Sequence, residues 1–135
     1  MEEVMLEKIN HIGIAVPNME QSKEKYLKNG YRIVRESYDE YFLTDLCLIQ
    51  KGNEVLELIY TDNPKSKVYE LCLKNEEVIY HKCYEVNSID ETIKELKVEK
   101  YILISDIVYS KLLSGNVCFL YSKEYGVIEL LEVQS

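Results

Sequence analysis

One pattern of histidine and glutamate occurs twice in the chain, and it constrains the fold more than any other feature. His11 precedes Glu57 in the first half, and His81 precedes Glu129 at nearly the same spacing in the second half. The chain contains no other histidine. Each histidine lies five residues before a valine and a short polar break, and each glutamate lies in a string of Val, Ile and Leu. A histidine and a glutamate that both recur after nearly the same number of residues indicate an internal duplication.

Hydrophobic patterning predicts the same order of elements, βαβββ, in both halves. In the first half we predict strands at 8–16, 31–37, 43–50 and 54–60, with a helix at 19–29. In the second half we predict strands at 78–86, 100–104, 116–122 and 126–133, with a helix at 89–97. Pro17 or Asn18 begins the first helix, and Asn87 or Ser88 caps the second. The segment 105–115 is either a long binding loop or a strand that the pattern does not reveal.

Length and composition predict one domain and exclude several classes of protein. A chain of 135 residues is expected to form a single domain, with modules at about 8–60 and 78–133 and a connector at 61–77. The net charge of −8 argues against nucleic acid or an anionic membrane as the main partner. No apolar run approaches membrane-spanning length, and the acidic start Met1–Val4 is unlike a signal peptide. We therefore expect a cytoplasmic protein.

The four cysteines stand singly in the sequence, at positions 47, 72, 83 and 118. In a cytoplasmic protein such cysteines are expected to be reduced and buried. A cysteine-type zinc site requires close Cys pairs, which this sequence lacks.

The repeated residues form a candidate metal site because all four fall inside predicted strands with apolar neighbours. A carboxylate on an apolar face is costly unless it is paired or binds a metal. A two-fold repeat would gather His11, Glu57, His81 and Glu129 in one groove. Two imidazole nitrogens and two carboxylate oxygens suit a divalent Zn, Ni, Co, Mn or Fe ion. In the alternative, a one-residue shift in strand phase places both glutamates in water, and the histidines are structural.

Four segments resemble the vicinal oxygen chelate superfamily, which contains glyoxalases, bleomycin-resistance proteins and dioxygenases. They are Asn10–Glu20, Val55–Ile59, His81 with Val86, and Gly126–Glu132. The resemblance covers essentially the whole chain. It implies an α+β fold in which two βαβββ modules pair into a half-open barrel-like sheet around a metal site. The His/Glu/His/Glu set resembles two metal-dependent branches, glyoxalase I (lactoylglutathione lyase) and methylmalonyl-CoA epimerase.

This resemblance implies a lyase or isomerase that shifts a proton alpha to a carbonyl chelated by one divalent ion. The substrate would be an alpha-oxo thioester or a hemithioacetal. The repeat allows the modules to pair within one chain or to swap between two chains, and we expect a homodimer. Glu129 is our candidate for the base, with Glu57 as the alternative; a Lewis acid stabilises the charge that develops on the oxygen. The epimerases carry a further carboxylate before the third strand. The local sequence Tyr38–Thr44 does not match that motif, so Glu40 receives no role.

Two other functions stay open at this point. One is a non-catalytic protein that sequesters a ligand, as the bleomycin-resistance members do, although such proteins generally lack a full metal set. The other is a metal-dependent dioxygenase with two histidines and one carboxylate, for which the fourth residue, Glu57, is unexpected. Tyrosines of the last third could line a groove for an apolar or ring-bearing ligand, although core and rim positions are the commoner role. These are Tyr101, Tyr109, Tyr121 and Tyr125.

Overall fold

The computed structural model describes residues 6–134, which contain nine strands and three helices. The strands are β1 (Ile9–Ala15), β2 (Arg32–Asp39), β3 (Thr44–Lys51), β4 (Glu54–Tyr60), β5 (Val78–Val86), β6 (Ile102–Leu103), β7 (Val108–Ser110), β8 (Gly115–Ser122) and β9 (Gly126–Glu132). The helices are α1 (Met19–Lys28), α2 (Tyr69–Cys72) and α3 (Ile89–Val98). Parallel and antiparallel strand pairs occur together, so the predicted α+β class is confirmed. The acidic start Met1–Val4 lies outside the described residues.

Residues 11–80 form one compact unit with strand order β2-β3-β4-β1. Strands β2, β3 and β4 are antiparallel neighbours, whereas β1 runs parallel to β4. One face of this sheet packs against Met19 and Tyr26 of α1. The opposite face, which carries Ala15 and Ile59, packs against Val68 and Cys72 of the connector. Covering both faces explains why four successive residues of β4 are buried instead of alternating.

Residues 6–10 and 81–134 form the second compact unit, with strand order β5-β9-β8-β6 and β7 also paired to β8. Strand β5 runs parallel to β9, as β1 does to β4. Helix α3 buries Ile89, Ile93 and Leu96 against one face of β8 and β9. These three residues recur at helical spacing, so the apolar stripe predicted from the sequence is the packing face.

Side-chain caps begin both long helices where the sequence predicts them. The Asn18 side chain accepts a hydrogen bond from the Gln21 backbone N–H at 3.0 Å, and Ser88 accepts one from Glu91 at 3.2 Å. Each cap satisfies one of the backbone donors that a helix start leaves unpaired. Gly30 follows the first helix with φ of +94°, a conformation that favours glycine at a helix end.

The second unit differs from the first in the segment 100–115. Two short strands, β6 and β7, pair with successive parts of β8, so the strand alternative for 105–115 holds for Val108–Ser110. Between them the Ser105 hydroxyl accepts the backbone N–H of Phe119 at 2.8 Å. The Ser105 hydroxyl thus takes the place of a backbone carbonyl in the strand pairing. The second unit therefore has two short strands, β6 and β7, where the first unit has the single strand β2. The connector also contains a short helix, α2, that the sequence analysis missed.

All four cysteines are free and buried. No helix between residues 6 and 134 is long and apolar enough to cross a membrane. The predicted order βαβββ is present in both halves, with the interrupted strand in the second.

Candidate functional site

In the unit 11–80, strands β1 and β4 bring His11 to Glu57. Parallel pairing places Gly13 opposite Glu57, so His11 lies two residues before the partner position on the same face of β1. The His11 Nε2 atom is 3.6 Å from Glu57 Oε1. His11 is 1% exposed and Glu57 is 5% exposed. The alternative strand phase, with Glu57 in water, is therefore wrong.

In the other unit, β5 and β9 bring His81 to Glu129 in the same register. Cys83 lies opposite Glu129, so this histidine also precedes the partner position by two residues. The His81 Nε2 atom is 3.0 Å from Glu129 Oε1, and both residues are buried. The duplication inferred from sequence spacing is thus repeated in strand direction, register and side-chain pairing.

Both pairs suit a cation because of their burial and donor chemistry. Each residue offers one metal-binding atom, an imidazole nitrogen or a carboxylate oxygen. A buried carboxylate loses its hydration, and a divalent ion would compensate the charge that water no longer screens. The residues therefore fit a divalent metal, the cofactor type that the sequence predicts.

Cys118, a buried cysteine of the same unit as His81 and Glu129, is held as a neutral thiol. Burial raises the pKa of the Cys118 thiol to about 12, and the negative charge of Glu129 contributes in the same direction. Only the thiolate form of cysteine is a good metal ligand. The candidate donors of this unit are the imidazole of His81 and the carboxylate of Glu129.

Phe119 is a neighbour of the site that sequence analysis missed. It lies on β8 directly opposite Glu129, and its ring contacts the ring of His81 edge-on. The signal was available, because counting back along both strands from the Ser122–Gly126 pair of the last hairpin places Phe119 opposite Glu129. Of the tyrosines considered for a groove, Tyr109, Tyr121 and Tyr125 are exposed, and Tyr101 packs against the core under α3.

Glu40 is exposed in the turn between β2 and β3. The neighbouring Asp39 carboxylate accepts the backbone N–H of Phe42 at 2.9 Å, which closes that turn. Two hydroxyl groups fasten the same turn, since Thr61 donates to the Leu43 carbonyl and Ser66 donates to the Phe42 carbonyl. Side chains of the connector thus hold this turn. Glu40 itself is exposed, and we assign it no role in the site.

Comparison with known protein families assigns the chain to a superfamily. Residues 10–119 match the family model of the glyoxalase/bleomycin resistance protein/dioxygenase superfamily. The match covers most of the chain, and the chain belongs to this superfamily. The resemblance noted from the sequence is therefore confirmed.

Named relatives narrow the type of protein within the superfamily. The mitochondrial methylmalonyl-CoA epimerase of Dictyostelium discoideum is 30% identical over 129 residues, which cover 93% of this chain and 77% of the relative. Such relatives are enzymes of the isomerase type, which confirms the predicted enzyme class, lyase or isomerase, at that level.

Solved structures support the fold. The crystal structure of methylmalonyl-CoA epimerase from Mycobacterium tuberculosis has a TM-score of 0.83 at 19% identity and covers 100% of this chain and 94% of its own. A variant of the Streptomyces coelicolor methylmalonyl-CoA epimerase, in complex with 2-nitronate-propionyl-CoA, has a TM-score of 0.81 at 18% identity and covers 97% of this chain and 100% of its own. At these identities the likeness concerns the fold alone.

Proposed function

We propose that this protein is a metal-dependent epimerase that inverts the carbon alpha to the thioester carbonyl of methylmalonyl-CoA. The observation that carries the proposal is the buried His–Glu pair, built twice at the same strand register. The relatives named for this activity support the choice of substrate.

We further propose that the two pairs act together as one site, with His11, Glu57, His81 and Glu129 holding a single divalent ion. Two protein ligands are few for a buried divalent ion, whereas three or four are usual. The repeated chemistry of the pairs supplies four. When bound, the ion would act as a Lewis acid toward negative charge on the thioester oxygen.

The chain's own contribution is a carboxylate that moves a proton. We assign this role to Glu129, which would accept the proton from the alpha carbon and leave an enolate. Inversion would then require a proton delivered to the opposite face, either by a second donor on that face or by Glu129 after the enolate has turned over. Glu57 is the alternative, because its carboxylate is equally buried beside a histidine. Burial by β-sheet and aromatic neighbours keeps water from competing for the proton.

The assembly and location predicted from the sequence belong to the same proposal. We propose a cytoplasmic homodimer that binds a small-molecule thioester and neither nucleic acid nor membrane. The net charge of −8 supports the exclusion of nucleic acid. Size measurement in solution at several protein concentrations tests the dimer.

The deciding experiment measures proton exchange in deuterated water. The protein is stripped with a chelator, reloaded with Co²⁺, Ni²⁺, Mn²⁺ or Zn²⁺, and incubated with methylmalonyl-CoA. NMR then follows deuterium entering the alpha position. We expect metal-dependent exchange together with inversion. A hemithioacetal of methylglyoxal serves as the competing substrate. Turnover of the hemithioacetal but not of methylmalonyl-CoA would show that the protein is a glyoxalase-type isomerase and not an epimerase.

Removing the proposed base gives a second test of the same reaction. Glu129→Gln keeps the size of the side chain but cannot accept the proton, so we expect exchange to fall about 10²- to 10⁴-fold. Glu95→Gln, an exposed residue of α3, is the matched control. If Glu57→Gln loses proton exchange while Glu129→Gln keeps it in full, Glu57 and not Glu129 is the base. Tight thioester binding without exchange in the wild-type protein would identify a sequestering protein instead.

A further inference from the structure

Phe119 contacts the His81 imidazole in a defined geometry. The two ring centroids are 5.0 Å apart and the ring planes are at 85°, an edge-to-face arrangement that aromatic rings favour. Phe119 is 7% exposed and His81 is 2% exposed. The contact is therefore buried, and solvent does not separate the two rings.

Two residues between β6 and β7, Ile104 and Ser105, make hydrogen bonds to the backbone of Phe119. Its N–H donates to the Ser105 hydroxyl at 2.8 Å, and its carbonyl accepts the Ile104 N–H at 2.9 Å. Its position opposite Glu129 is fixed by the β8–β9 ladder. The segment between β6 and β7 thus anchors the residue that packs on His81.

The first module differs at the corresponding position. Leu48 lies opposite Glu57, where the second module has Phe119 opposite Glu129. Leu48 is only partly buried. The imidazole-to-carboxylate distance is 3.6 Å in the module with leucine and 3.0 Å in the module with phenylalanine. The aromatic contact therefore accompanies the shorter pair.

We infer that Phe119 is a positioning residue, which holds the His81 ring so that Nε2 faces the Glu129 carboxylate. The torsion that turns an imidazole about its Cβ–Cγ bond is broad, and rotation by half a turn exchanges the ring nitrogens. A perpendicular ring packed against the imidazole restricts that rotation. This role rests on the proposed function where it concerns metal affinity, whereas the orientation of the ring is a property of the metal-free protein.

The test replaces Phe119 with the residue that the first module uses. In metal-free Phe119→Leu we expect the His81 ring resonances to broaden or double and the close contacts between Nε2 and Glu129 to weaken in NMR spectra. The chain has only two histidines, so a His11→Ala background assigns the signals. In calorimetric titration we expect Co²⁺ to bind about 10-fold more weakly, with a changed visible spectrum.

A matched core variant separates positioning from a general loss of packing. Leu120→Val changes the next residue of β8, which is fully buried but packs in the cluster under α3. We expect it to lower thermal stability while its His81 signals and Co²⁺ affinity stay as in the wild type. Unchanged His81 signals in Phe119→Leu, or equal changes in both variants, would overturn the inference. Absence of Co²⁺ binding by the wild-type protein would instead contradict the proposed function, and the metal-free spectra would still decide the role of Phe119.

Discussion

Among single residues, Glu77 shows how one carboxylate joins distant parts of the chain. It accepts hydrogen bonds from Ser22 at 3.0 Å and Tyr26 at 2.7 Å, and its carboxylate lies 2.9 Å from the ammonium group of Lys25. All three partners lie on α1, whereas Glu77 precedes β5. Burial by itself raises the pKa of Glu77, but Lys25, Tyr26 and Ser22 together lower it below the ordinary 4.5.

The lowered pKa makes this contribution to stability dependent on pH. The folded protein binds the Glu77 proton more weakly than the unfolded chain, so the contribution is present above about pH 5 and is lost as pH falls through the folded-state pKa. We expect Glu77→Gln to lower the free energy of unfolding by about 1–2 kcal/mol at pH 7. The difference from the wild type should close below pH 4.5.

Urea unfolding between pH 3 and pH 8 measures this difference. Glu76→Gln, an exposed neighbour in the sequence, is the control. A difference between Glu77→Gln and the wild type that stays constant across this range would show that the carboxylate charge does not stabilise the fold.

At the scale of the elements, β8 and β9 approach so closely that the first residue of β8 has no room for a side chain. A Cβ added to Gly115 would lie 2.9 Å from Leu131 Cδ1 and 3.0 Å from the Glu132 carbonyl oxygen. Leu131 is 3% exposed and cannot move freely. A larger residue therefore requires the Leu131 side chain or the β9 backbone to shift.

We expect Gly115→Ala to lower the free energy of unfolding by about 1–3 kcal/mol, the usual effect of overpacking. Asn116→Ala, at the exposed next position, should change it little. The midpoint of urea unfolding measures both variants. Equal stability of Gly115→Ala and the wild type would mean that the two strands separate at this end without cost.

At the scale of the whole molecule, a shared ion would make metal binding and folding one equilibrium. A ligand that binds only the folded state stabilises it, and Co²⁺ at about 100 times its dissociation constant should raise the melting temperature by several degrees. If one ion uses both histidines, His11→Ala and His81→Ala should each lose most of that shift. Retention of about half the shift in each variant would indicate two separate ions instead. Scanning calorimetry with and without Co²⁺ measures the shifts, and Glu95→Gln controls for the loss of a charge.

Much of the local structure could be predicted because its causes lie close together in the sequence. The caps at Asn18 and Ser88 and the glycine at position 30 determine where helices begin and end, and the structure confirms these positions. Strand boundaries in the first half agree within a few residues for the same reason. The sequence could not choose between a loop and a strand for β7 because its place in the sheet depends on pairing with β8, and the nearby hydrogen bond to Ser105 comes from a residue more than ten positions away.

The sequence by itself determined the duplication, the α+β class and the identity of the four metal-binding candidates, because spacing and residue type carry that information. Only the tertiary structure decided that each histidine faces its glutamate, that Phe119 packs on His81, and that the two modules differ at this position. Those facts depend on strand register and on both faces of the sheet being covered. Strand register and the packing over each sheet face arise from contacts between residues far apart in the chain. A pattern of neighbouring residues does not specify such contacts.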